Sequence, residues 1–235
     1  MKTNMKTIGL IGGMSWQSSL EYYRIINETV KARIGAPHCA KSLMYSFDFA
    51  EMGILQRQGL WEQSTDLMIE AAQRLERGGA DFLLICTNTM HKMADEVQQS
   101  IRIPLLHIAD ATAAKIKSQG FHKVGLLGTR FTMEEDFYKG RLENQHNLQV
   151  LIPDAAQREI VHHVIYDELV VGKIDPVSRS QYRDIIENLV QQGCEGIILG
   201  CTEIGLLVKA EDSRVPLFDT TYIHATAAVD YALAV

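Results

Sequence analysis

The sequence predicts an α/β fold of two pseudo-symmetric, doubly wound lobes, each built on a mainly parallel four-stranded sheet. Three observations carry that expectation. First, the chain repeats itself. KTIGLIGGMSWQSSLEYYRIINE returns from His122 as HKVGLLGTRFTMEEDFYKGRLEN, GGADFLLICTNT returns as QGCEGIILGCTE, and IRIPLLHIADATAAKI returns as SRVPLFDTTYIHATAAV. The copies keep their order at spacings of 112 to 116 residues (Ile8 to Val124, Thr87 to Cys201, Ile103 to Val215), which marks a duplicated unit rather than chance. Second, apolar strand-like runs alternate with helical segments. Third, runs such as LLI and IIL are continuous rather than alternating, as parallel strands covered on both faces require.

The elements follow in order. Strands are expected at 6–12, 42–47, 81–87 and 103–108, with helices near 16–34, 61–77 and 90–100 between them. In helix 16–34, Leu20, Tyr23, Ile26 and Val30 recur at helical spacing, with polar Asn27 and Glu28 between the last two. The second lobe repeats the scheme, with strands at 122–128, 148–152, 196–201 and 215–218 and helices near 133–144, 155–171, 178–192 and 220–234. The lobes are therefore expected to be 5–110 with the C-terminal helix 220–235, and 111–219. Doubly wound sheets bind ligands beyond the carboxyl ends of their strands. Turn 12–15, segment 86–89, turn 128–132 and segment 201–203 all fall at such ends, which predicts an active site in a cleft between the lobes.

Composition narrows the function. A chain of 235 residues with 46% hydrophobic and 22% charged residues is an ordinary globular protein long enough to bury a real core. A net charge of −6 and the lack of a basic stripe argue against nucleic acid. No apolar stretch approaches the roughly 20 residues that span a bilayer, and no signal peptide opens the chain. Four cysteines do not make a disulfide framework, so reduced thiols and a cytoplasmic location are expected. MKTNMKT repeats itself, which suggests Met5 as the true start and residues 1–4 as an unstructured extension. GLIGGMS lacks the G-x-G-x-x-G spacing and the Gly-Lys-Ser/Thr of a P-loop, so a turn placing backbone N–H groups, Met14 and Ser15 against a small anion is favoured over a nucleotide site.

The chemistry concentrates at two strand ends. Successive strand residues point to opposite faces, so Cys86 and Thr87 cannot both face one cleft while the strand persists. The repeat aligns Thr87 with Cys201, and Cys86 with Gly200. Cys86 is then a buried packing residue between strand and helix, as Cys39 and Cys194 are small hydrophobes. Cys201 opens Cys-Thr-Glu at a strand end, where helix N-terminal N–H groups can stabilise a thiolate. Helix capping and ligand contact weigh equally for Thr89 and Thr202. His91 either orients a catalytic group or is structural, and Glu203 either assists Cys201 or favours a helix N-terminus.

CTNTMH and GCTE, with GLIGGMSW at the start, resemble the aspartate/glutamate racemase family across essentially the whole chain. The resemblance implies an amino-acid racemase of two pseudo-symmetric lobes, a homodimer with a small amino-acid substrate. It implies no cofactor (no pyridoxal phosphate), no metal, and no nucleic-acid or membrane partner. In that family each lobe supplies one cysteine, and the two work on opposite faces of the α-carbon. Here the first triplet reads Thr87-Asn88-Thr89, so a hydroxyl stands where the family has a thiol. The resemblance then implies that Cys201 deprotonates the L-enantiomer while Thr87, directly or through water, reprotonates the other face. It also implies that Asn88, Thr89, Met90, Thr129 and Thr202 bind the substrate carboxylate, and that Met14 and Gln56 line the amino-acid pocket. The family's basic clamp for a side-chain carboxylate has only Arg57 and Lys173 as nearby candidates, so specificity for aspartate or glutamate and broader specificity both remain open. Two alternatives predict different outcomes: a single-cysteine decarboxylase of the same superfamily releases carbon dioxide, and a two-lobed amino-acid-binding protein with lapsed catalysis binds without α-proton exchange.

Overall fold

The computed structural model describes residues 5–234, so the four-residue extension expected before Met5 lies outside the described residues. The chain divides into two compact units: the described residues up to Ile108 together with those from His224 onward, and Ala109–Ile223.

In the first unit, strand β1 (Ile8–Gly12) lies between β2 (Ser42–Ser46) and β3 (Phe82–Ile85), all parallel. Helices α1 (Trp16–Ile34), α2 (Phe49–Gln58), α3 (Trp61–Arg77) and α4 (Ala94–Gln99) connect and follow them. The continuous apolar run FLLIC has a simple cause, because its alternate side chains feed two different cores. Leu83 and Ile85 pack with Met68, Ala71, Ala72 and Leu75 of α3. Phe82, Leu84 and Cys86 pack with Tyr22, Ile25, Ile26 and Val30 of α1 and with Ala225, Ala228, Val229 and Ala232 of the chain's last helix. Each fully buried valine, leucine, isoleucine, methionine or phenylalanine among them contributes roughly 1.5–3 kcal/mol.

The rotation of α1 differs from the expected one. Leu20 and Tyr23 are about half exposed, at 54% and 50%, and the inward face is Ser18, Ser19, Tyr22, Ile25, Ile26 and Val30. The first turn decides this, because two serines use their hydroxyls on backbone groups beneath the helix. Ser18 Oγ donates to the Cys86 carbonyl at 2.7 Å, and the Gly13 N–H donates to Ser19 Oγ at 2.8 Å. Polar bonds outrank apolar spacing here, since the buried backbone groups they satisfy would otherwise be unpaired.

The fourth strand of this sheet, expected at 103–108, is reduced to a bridge between Leu83 and Leu105. Leu83 N–H donates to Pro104 O at 2.8 Å and Leu106 N–H to Leu83 O at 2.9 Å. Pro104 has no N–H to extend the ladder, and helix α5 (Ile108–Ser118) begins two residues after Leu106.

The second unit carries strands β4 (Lys123–Gly128), β5 (Gln149–Leu151), β6 (Gly196–Gly200) and β7 (Leu217–Asp219), parallel in the order β5-β4-β6-β7. Its helices are α6 (Arg130–Glu134), α7 (Lys139–His146), α8 (Ala155–Asp167), α9 (Pro176–Gln191) and α10 (Ile204–Leu207), and α11 (Thr220–Leu233) closes the chain. The single helix expected at 133–144 is two, broken where Glu135 adopts an extended conformation. Asp154 and Asp175 cap α8 and α9 by accepting from Gln157 N–H and Val177 N–H, each at 2.9 Å. Helices α2 and α5 were not expected. Gly53 in mid-helix hides the first, although Asp48 caps it by accepting from Ala50 N–H at 3.0 Å.

Asp110 in the first turn of α5 accepts a fork from Arg141 (2.7 and 2.8 Å) and pairs with His146 Nε2 at 2.8 Å. Burial by itself would raise the Asp110 carboxyl, but the Arg141 and His146 bonds outweigh it and hold the carboxyl below its ordinary value of 3.8. A depressed folded-state value means stability that is present above the ordinary range and lost as pH falls through the folded value. Asp110→Asn is expected to cost about 1–2 kcal/mol in urea unfolding at pH 7, and the difference from the parent should shrink toward pH 3.

Candidate active site

In the first unit, β1 and β3 end side by side, with Ile11 paired to Ile85 and Cys86 N–H donating to Ile11 O at 2.9 Å. The chain beyond them forms the segments Gly12–Ser15 and Cys86–Met90. Gly13 has φ +90, and any Cβ there would run into the Phe47 backbone, so only glycine fits the turn. Ser15 caps α1 by accepting from Ser18 N–H at 3.3 Å. Cys86 is fully buried, and burial alone pushes its thiol far above the ordinary range, so it holds its proton at neutral pH. Thr87, the next residue, is only half-buried.

Asn88, Thr89 and Met90 are buried, and Thr89 begins a short 3₁₀ turn (Thr89–Met93). Gln56 of α2 reaches this turn, with its Nε2 donating to Met90 Sδ at 3.0 Å. Met14 and Met90 belong to one apolar cluster with Met52. The structure thus gathers Met14, Gln56 and Met90 in the same unit as Thr87. Arg57 lies exposed on α2.

In the second unit, β4 and β6 end with Gly128 paired to Gly200. A Cβ on Gly128 would meet Gly200 O at 2.9 Å, and one on Gly200 would meet Leu127 O at 2.8 Å. Glycine at both places lets the strands end in close approach, which sets Thr129 and Cys201 beside each other as the next residues. Thr129 is buried and caps α6, accepting from Thr132 N–H at 3.3 Å with the two hydroxyls 3.1 Å apart.

Cys201 and Thr202 are half-buried, and Glu203 is buried. Both neighbours use one oxygen of that carboxylate. Cys201 Sγ donates to Glu203 Oε2 at 3.0 Å, and Thr202 Oγ1 donates to the same atom at 2.5 Å. Burial, and then the adjacent Glu203 charge, push the Cys201 thiol well above its ordinary value, against the weaker pull of the Glu203 and Ile204 N–H groups. This corrects the expectation of a thiolate lowered by helix N–H dipoles. Helix α10 is only four residues long, and a carboxylate in contact with the sulfur outweighs it. Lys173 is engaged by Glu168 and Asp175, at 3.4 and 3.1 Å. Among the described residues, no group of three or more His, Cys, Asp and Glu side chains could hold a metal ion, and no helix is long and apolar enough to cross a membrane.

The spacing of Glu203 from Cys201 was visible in the sequence, but its contact with the sulfur was not. The bonds that Ser18 Oγ makes to the Cys86 carbonyl and His91 Nδ1 to the Thr87 carbonyl, at 2.7 and 2.8 Å, left no signal in the sequence beyond the residue types.

With this geometry in view, comparison with known proteins is decisive. The family model for Asp/Glu/Hydantoin racemase matches residues 11–228. The chain belongs to that family. Among solved structures it is similar to a Yersinia pestis protein named as a candidate Asp/Glu racemase, at 54% identity over 98% of this chain and 100% of the other, with a TM-score of 0.93. It is also similar to an aspartate racemase homologue from Pyrococcus horikoshii, at 35% identity over 98% and 100% of the two chains, with a TM-score of 0.85. The broad specificity amino-acid racemase RacX of Bacillus subtilis is 26% identical over 71% of each chain. As a member of the Asp/Glu/Hydantoin racemase family, the chain is an isomerase-type enzyme of two α/β units, and the matched span includes both strand-end segments, 86–89 and 201–203.

Proposed function

We propose that this protein is a cofactor-independent amino-acid racemase in which Cys201 and Thr87 work on opposite faces of the substrate α-carbon. The observation that carries this reading is the Cys201–Glu203 pair at the carboxyl end of β6, with Thr87 half-buried at the repeat-equivalent end of β3. The resting thiol keeps its proton on sulfur. On reaction, that proton passes to the Glu203 carboxylate, and the thiolate takes the α-proton of the L-enantiomer, breaking C–H and forming S–H. The Thr87 hydroxyl then donates its proton to the other face and takes one back from water, and the hydroxide so formed is neutralised by the proton that Glu203 returns to solvent, which resets the carboxylate. Threonine is too weak an acid to serve as a resting alkoxide, but a carbanion is basic enough to take its proton.

Stabilising the enediolate charge is the larger electrostatic task. Donors from Asn88, Thr89 and Thr129, with the backbone N–H groups of Met90 and of Thr202 (whose hydroxyl is given to Glu203), supply it on the α-carboxylate, and Met14 and Gln56 line the pocket. The substrate is aspartate or glutamate, or a wider set. The wider set gains support from Lys173, whose charge is engaged by its own acidic neighbours, and from the likeness to a broad-specificity relative. The reading includes a homodimer in the cytoplasm, and sedimentation of the purified protein tests the dimer.

Enantiomers have equal free energy in water, so kcat/KM must match in the two directions, and asymmetry can appear only in kcat and KM separately. The test is a panel of L-amino acids in D₂O, following α-deuterium by NMR and inversion by optical rotation. Thr87→Cys should invert at least tenfold faster than the parent, because a thiol is both the better acid and the better base at neutral pH. A variant no faster than the parent would remove Thr87 from the reaction.

A further inference from the structure

Resting on that reading, we infer that Ser18 and His91 are positioning residues that hold Thr87 at the angle its proton delivery needs. A residue's main-chain orientation is set by the two peptide planes that flank it. Both planes around Thr87 are pinned by side chains. On one side, Ser18 Oγ donates to the Cys86 carbonyl at 2.7 Å, which fixes the peptide entering Thr87. On the other, His91 Nδ1 lies 2.8 Å from the Thr87 carbonyl, which fixes the peptide leaving it.

The direction of the second bond is determined by its neighbour. Ile108 N–H donates to His91 Nε2 at 3.2 Å, so that nitrogen carries the lone pair and Nδ1 carries the proton given to Thr87. The ring is also held in place. His91 packs edge-on to His107 and His224, with centroids 4.5 and 5.8 Å away. His224 Nε2 donates to Leu106 O at 2.9 Å and its Nδ1 pairs with Tyr22 Oη at 2.8 Å. Ile108 is the residue at which the chain leaves the first unit, so the clamp on Thr87 is anchored at that crossing. With both planes fixed, Thr87 retains only side-chain rotation. A hydroxyl that must give up its proton along one line to a short-lived carbanion needs that restriction, since misplacement of about 1 Å can cost a hundredfold.

The measurement that separates positioning from packing is a partition ratio. With L-substrate in D₂O, each carbanion either takes deuterium back on the Cys201 side, with retention, or is inverted from the Thr87 side. The ratio of inversion to retained exchange is counted per active molecule, so loss of folded protein does not move it. Thr87→Ala sets the floor of that ratio. Ser18→Ala and His91→Gln should lower the ratio about tenfold or more while retained exchange stays within about twofold of the parent. His91→Asn should restore it, because the asparagine amide places an N–H where Nδ1 stood. If His91→Gln and Ser18→Ala leave the ratio unchanged, with exchange and inversion falling together, the positioning role is overturned while the Cys201 reaction stands. If the parent neither exchanges nor inverts any substrate of the panel, the racemase reading itself falls.

Discussion

Cys201→Ala should abolish both deuterium uptake and inversion, lowering each on the order of a thousandfold or more. The reaction begins by breaking a C–H bond of very low acidity, and removal of a positioned base typically costs 10² to 10⁴ in rate. Neither buried thiol can substitute, and Cys39, exposed rather than packed as its type predicts, lies on the segment entering β2, at the opposite end of the strands from Thr87. Cys86 is sealed in the core beneath α1 with its proton held by burial, and burial raises Cys194 to about 11. Since Cys201 is half-buried and its thiol donates to Glu203, a residue two places away, alanine should leave the fold intact, which circular dichroism can check. Exchange within tenfold of the parent would place the base elsewhere in the chain.

Glu203→Gln is expected to move two readouts in opposite directions. The Cys201 thiol is raised first by burial and then by the negative charge of Glu203 in contact with it. Removing that charge leaves burial alone, so the thiol should ionise at lower pH, and its alkylation by iodoacetamide should reach half-rate at a lower pH than in the parent. Catalysis should nevertheless fall roughly 10²-fold, because the amide cannot accept the proton that the sulfur must shed. A merely structural glutamate would not separate the two. An alkylation midpoint moving upward, or an unchanged exchange rate, would show that the carboxylate is not the proton's destination.

Much of this was legible in the chain. The duplicated strand–turn–helix openings, the parallel strands and the strand-end location of Thr87 and Cys201 follow from apolar runs and glycine turns, which are local properties of sequence. The separation of Cys86 from Thr87 was legible too, although β3 stops at Ile85 and the ladder persists only through the Cys86 N–H bond. Other features were hidden. Apolar spacing pointed α1 the wrong way because Ser18 and Ser19, polar by type, turn inward to satisfy backbone groups. Helix α2 was masked by Gly53, and the fourth strand of the first sheet was cut short at Pro104.

By itself the sequence determined the repeat, the family and which residues stand at corresponding strand ends, because each is written in residue order and spacing. Only the tertiary structure decided the proton state of Cys201, its contact with Glu203 and the double anchoring of Thr87. Those depend on how much water is excluded, which packing of distant segments sets, and on which groups come within 3 Å, which the turns after β3 and β6 set for His91 and Glu203 and long-range packing sets for Ser18.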